Sequence, residues 1–159
     1  MKDSSNFSFA ERQESLKAGV LTALSAFLAF ACFTLGNQFI LAPQFEPLTE
    51  LAIPAFDLNW AGRGAIAGLN GFLFGVTYRY VVRRDTNPQL KAGTALAFGL
   101  VRASAQLEVG LSEGISIFPP QHLWPFVVMG VESVAMFATA TLILDFAYQC
   151  GWIQPFNSN

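Results

Sequence analysis

Apolar and polar positions in this chain separate into long blocks. No charge interrupts Ala18 to Phe45, a run longer than the roughly 20 residues needed to cross the hydrocarbon of a bilayer. A second block, Trp60 to Val82, is apolar between Arg63 and Arg79. A third, Leu90 to Gly110, is less hydrophobic and carries Arg102 near its middle. The fourth runs from Leu123 to Tyr148 and contains Glu132 and Asp145. The pattern predicts an all-α membrane protein with four transmembrane helices, spans about 17–41, 60–82, 90–110 and 123–148, as a single domain over residues 1–159. A central arginine costs about 2.5–3.5 kcal/mol on insertion scales, so the third helix must be shielded by the others.

The second block organises the rest. Gly64, Gly68, Gly71 and Gly75 recur at spacings of four, three and four, which stacks them on one face of a helix. Each glycine costs about 1 kcal/mol against alanine in a helix interior. In a bilayer the same face lets a second helix approach backbone to backbone. These four residues are the candidate helix-packing surface.

Between the blocks the chain reads as connections. Ser8-Phe9-Ala10-Glu11 has capping-box spacing, predicting a short interfacial helix from Phe9 that leads into the first span. Pro47 to Ile53 is expected to form a turn or two of surface helix in an acidic loop. Asn87-Pro88 marks the turn before the third span. The first block outlasts a signal-peptide core of about 7–15 residues, so it reads as a retained span. Basic residues then set orientation. Lys2, Arg12, Lys17, Arg79, Arg83, Arg84 and Lys91 fall on one side if the chain crosses four times, and Arg63 alone on the other. Both termini and the 83–91 connection are therefore expected in the cytoplasm of a multi-pass protein, in a bacterial inner or thylakoid membrane.

Leu16-Lys17-Ala18-Gly19 and Leu90-Lys91-Ala92-Gly93 open the first and third blocks alike. That similarity raises the expectation of two duplicated helical hairpins in parallel orientation, a known construction in transport proteins.

Composition agrees with this class. The chain is 53% hydrophobic and 13% charged, with a mean hydropathy of +0.43, and the charged share is about half that of an average soluble domain. The net charge of −2 provides no basic field for nucleic acid, and no nucleic-acid partner is expected. Cys32 and Cys150 read as small apolar side chains. No nucleophile–base pair, phosphate loop or metal spacing is present, so neither an enzyme nor a cofactor is expected. His122, the single histidine, is a span-end residue that either ligates a pigment or metal or rests at the interface.

The 1.5 Å rise per helical residue converts position into depth. Arg102 lies roughly 16 Å from the start of its span and Glu132 roughly 12 Å from the opposite face, which brings them to one level. Arg63 matches Glu108, and Arg79 matches Asp145. Three charge pairs at matching depths form a candidate ladder within the bundle. It serves either a structural role or a polar path for a proton, ion or anion.

The run from Gly62 to Ala105 resembles the core of the preprotein and amino-acid transporter family, which includes mitochondrial import channels. The matching residues are Gly64, Gly68, Gly71 and Gly75, then Arg84, Asp85 and Asn87, then Gly93, Gly99 and Arg102. Here the arginine-to-aspartate interval is collapsed to neighbours, and the paired glycines of the third span are Ala92-Gly93. The segment GFLFGVTYRYVVRRDTNPQLKAG is also similar to small four-span membrane proteins of cyanobacteria and chloroplasts. The expected partners are membrane lipid and other membrane proteins or a second copy of the chain. The function expected first is an assembly, scaffold or accessory subunit of a larger membrane complex; the alternative is a small transporter or channel component.

Overall fold

The computed structural model describes residues 9–44, 57–83, 85, 87–112, 114 and 120–156. All regular structure among them is helical. Helix α1 spans Phe9–Gly36 and runs without a break through a π-helical turn, Asn37–Leu41, into a last α-turn, Ala42–Gln44. Helices α2 (Leu58–Val82), α3 (Pro88–Ser112) and α4 (Trp124–Gln149) follow, the last entered through a 3-10 turn at Pro120–Leu123.

The helices match the four expected blocks, and local chemistry explains where their ends differ. The interfacial lead from Phe9 is continuous with the first span, and Ser8 lies outside the described residues, as does Pro47 to Ile53. Helix α2 begins before Trp60 because the Asp57 carboxylate caps it, accepting the Trp60 N–H at 2.6 Å. At its other end Arg83 takes φ 50° and donates its N–H to Arg79 O at 3.3 Å. The carboxamide of Asn87 accepts from Gln89 N–H at 2.9 Å, with Pro88 at the first helical position, where its missing N–H costs nothing.

Helix α4 ends in a Schellman turn. Gly151, at φ 70°, donates to Tyr148 O at 3.1 Å, and Trp152 donates to Ala147 O at 3.0 Å. This turn folds residues 152–156 back onto the bundle, where Ile153 is buried.

Helix α1 packs most extensively on α2, α3 on α4, and α1 also lies along α4. The α1–α2 seam is built from small residues on both sides. Ala18, Thr22 and Ala26, spaced four apart on α1, are fully buried. Opposite them, a Cβ added at Gly71 would come within 2.5 Å of Ala26 Cβ and Thr22 O, and one at Gly75 within 2.0 Å of Thr22 Oγ1. Gly64 is filled by the Phe27 ring, at 2.8 Å. Gly68 is different, with only Ala23 O in reach at 3.8 Å. On the other seam Gly99 sits against Val134 Cα, which a Cβ would approach to 2.8 Å.

Where α2 stands apart from α3, aromatic rings fill the gap. Phe74, Phe98 and Phe137 form a triangle with centroids 5.1 to 5.6 Å apart, close enough for edge and tilted ring contacts.

Two of the helical segments, Phe9–Gln44 and Trp124–Gln149, are long and apolar enough to cross a membrane. Helices α2 and α3 fall short because their glycines, amides, tyrosines and internal charges dilute the apolar side chains.

The seam geometry makes a graded prediction. Gly71→Ala and Gly75→Ala should each lower stability by about 1–3 kcal/mol through overpacking. Gly68→Ala should be neutral or stabilising, since alanine gains up to about 1 kcal/mol of helix propensity. Thermal unfolding in detergent is the measurement, and a Gly75→Ala protein as stable as the parent would show that the helices do not meet on this face.

Candidate functional site

The last turn of α2 places two adjacent polar side chains, Tyr78 and Arg79, both buried inside the bundle. A guanidinium in such a place must find acceptors for its donors, because an uncompensated buried charge costs several kcal/mol. The chain provides them from two distant segments. Arg79 Nη2 pairs with the Glu11 carboxylate on α1. Its Nη1 donates to Ser15 Oγ at 2.8 Å and Glu11 O at 3.1 Å. Its Nε donates to Gln154 O, in the folded-back tail, at 2.9 Å.

Aromatic and acidic groups complete this clasp. The Phe156 ring lies 5.7 Å from Arg79 Cζ and 5.8 Å from Arg83 Cζ, and packs on Tyr80 at 5.0 Å, a cation–π arrangement. Glu14 accepts the Gln154 N–H at 2.8 Å and pairs with Lys17 at 2.7 Å. Ser15 Oγ is also 3.0 Å from the Tyr80 hydroxyl.

Tyr78 anchors a second network. Its hydroxyl donates to Asp145 Oδ1 at 3.0 Å, and Lys91 Nζ donates to Asp145 Oδ2 at 2.8 Å. One carboxylate thus ties α4 to α2 and to the start of α3. Through neighbouring residues of α2, all four helices and the tail are joined at one end of the bundle.

The expected charge pairs come out differently. Arg79 and Asp145 do lie at the same end, but each takes another partner: Glu11 for Arg79 and Lys91 for Asp145. Sequence spacing gives depth along the bundle axis and carries no information about rotation around it. Arg79 projects toward α1 and the tail, and Asp145 toward α2 and α3. No ion pair joins Arg102 to Glu132 among the described residues. Both are partly buried, and Glu132 instead has the Asn37 side chain, on the π-helical turn of α1, as its polar neighbour. Arg63 and Glu108 are exposed and likewise form no ion pair among the described residues. The glycines Gly64, Gly71 and Gly75 do meet α1 closely.

Several residues of these networks carry no conspicuous motif. Glu11 reads only as part of a capping box, and Gln154 and Phe156 sit in a short tail. The signal that points to them is Gly151 directly after an apolar helix, a C-terminal glycine that reverses the chain.

Chemically the arrangement is closed, with hydrogen bonds and ion pairs internal to the chain. Among the described residues no group of three or more His, Cys, Asp or Glu could hold a metal ion. Cys32 and Cys150 are free and exposed, and His122 is exposed at the 3-10 turn. Comparison with known protein families, with curated proteins and with solved structures gives no match to the chain.

These contacts make three predictions. Glu11→Gln should destabilise the protein by about 3–5 kcal/mol, because Arg79 is left buried without its counter-charge. Arg79→Lys should not substitute for arginine, since an ammonium cannot span the same fork of acceptors. Denaturant melts in detergent measure both, and a stable Arg79→Lys protein would contradict the geometry. In double-mutant cycles, Asn37→Leu with Glu132→Leu should couple by about 0.5–3 kcal/mol, whereas Arg102→Leu with Glu132→Leu should be additive within about 0.5 kcal/mol.

Proposed function

We propose that the protein is a non-enzymatic, four-span membrane protein that serves as an assembly, scaffold or accessory subunit of a larger membrane complex. The observation that carries this reading is a closed interior whose apolar side chains also face outward on every helix. The Phe74, Phe98 and Phe137 rings occupy the centre, and the strongest ionic contacts are spent on fastening one end. Outward, Leu24 on α1, Ile66 on α2, Leu100 on α3 and Val131 on α4 are all more than half exposed, a surface suited to lipid tails or to other membrane helices.

Under this reading α2 and α3 are spans as well. Arg79 and Lys91 have partners within the bundle, which lowers the cost of placing these two less apolar helices in a bilayer. The clasp end carries Arg12, Lys17, Arg83 and Lys91 and faces the cytoplasm of a bacterial inner membrane or its thylakoid equivalent. The hairpins α1–α2 and α3–α4 fit a duplicated origin in outline. The matching small residues have since diverged in use, since Gly19 packs on Phe72 while Gly93 meets nothing within 4 Å.

A second reading, a small transport component, draws on one feature. Asn37 and Glu132 meet at a π-helical turn, a local geometry frequent at functional sites, and Gln38 Oε1 nearby in sequence is buried without a hydrogen-bond partner.

Native gels of mildly solubilised membranes separate the two. The scaffold reading expects co-migration with a complex much larger than the 17.3 kDa chain and normal solute flux when Glu132 is replaced by Gln. Migration only as a small homo-oligomer, with flux abolished by Glu132→Gln, would reject it in favour of transport.

A further inference from the structure

Beside the clasp, the folded-back tail and the outer face of α1 enclose an open groove of about 420 Å³, within the roughly 300–1,000 Å³ typical of small-molecule sites. Its α1 wall is an apolar stripe, Leu16, Val20 and Leu24, spaced four residues apart and about half exposed. Its other wall is Trp152 and Ile153 of the tail. Trp152 remains 64% exposed although its ring packs edge-on against Phe146. An amphipathic ring held this way suits a membrane–water interface.

Charge identifies the occupant. Lys17 lines the groove; its Nζ is 2.7 Å from the Glu14 carboxylate, and with its side chain 57% exposed it can still turn a donor to a ligand. Arg12 continues the Leu16–Val20–Leu24 stripe one turn toward the clasp end. It is exposed and makes no hydrogen bond or ion pair to a described residue. An apolar channel along a helix, topped by two cations and flanked by an interfacial tryptophan, matches one acyl chain beneath one phosphate. We infer that this groove is a binding site for an anionic phospholipid, with a chain along α1 against Trp152 and Ile153 and the phosphate between Arg12 and Lys17. The inference rests on the membrane reading above and deepens it by naming a ligand. It also makes the site conditional, because its tail wall exists only while Gln154 is held by Arg79 and Glu14.

The test uses Trp152 as reporter in the full chain carrying Trp60→Phe and Trp124→Phe, reconstituted in phosphatidylcholine vesicles. Chain-brominated phosphatidylglycerol or chain-brominated phosphatidylcholine is added at equal fraction as quencher. The expected result is several-fold stronger quenching by the glycerol lipid, reduced to parity by Arg12→Gln with Lys17→Gln. A second reporter, Leu96→Trp with Trp152→Phe in the same background, samples the outer face of α3 and should show no preference. Equal quenching of Trp152 by both lipids would overturn the site. So would an equal preference at residue 96, which would mean general attraction to the basic end. Protein released from the vesicles by alkaline carbonate would instead overturn the membrane reading itself.

Discussion

A guanidinium buried at the end of a helix sets the terms for this structure. Arg79 cannot be hydrated where it lies, so its donors must be met by protein, and the acceptors come from opposite ends of the chain. Glu11 and Ser15 draw the start of α1 against α2, and Gln154 draws the tail down over both. The cost of leaving such a charge unmet exceeds most single packing contacts. Helix register along the α1–α2 seam therefore has two determinants that must agree, the small-residue contact at Thr22 and Gly75 and the ionic contact a few ångströms beyond it. The Tyr78–Asp145–Lys91 network extends the same logic to the other hairpin.

The division of labour between the two ends of α2 follows from side-chain size. Glycine and alanine bring backbones together where the seam is long, which maximises dispersion contact per residue. Aromatic rings fill the space where α2 and α3 diverge. Ionic and hydrogen-bonded groups occur where the helices end. Ser133, which donates to Gln106 Oε1 at 3.0 Å between α4 and α3, departs from that scheme, and so do Asn37 and Glu132. The last two lie along the α1–α4 seam at the one place where α1 abandons regular α-helical bonding.

Much of the architecture was legible from the sequence for simple reasons. Long uncharged runs, a glycine period of four and three, and Asn87-Pro88 at a turn point directly to helices, a packing face and a connection. Depth also was legible, which is why Arg79 and Asp145 were expected at one level. Azimuth was not: a rise per residue says nothing of which way a side chain faces, and Arg79 found Glu11 while Asp145 found Lys91. The tail's role was not legible because the short segment after Gly151 has no period. Its importance comes from one backbone conformation at Gly151, whose effect is felt by Arg79 some 75 positions away.

That separation has a consequence for how the protein is made. The segment carrying Gln154 is synthesised after every helix, so for most of translation α2 holds an arginine whose set of acceptors is incomplete. The first hairpin can form early from its local contacts, but its charged end stays open to water until Gln154 emerges. A ribosome that stops within α4 releases a chain with correct helices and an unfastened end. A copy truncated there keeps its Arg79 guanidinium without the Gln154 acceptor, because the reversal at Gly151 never forms.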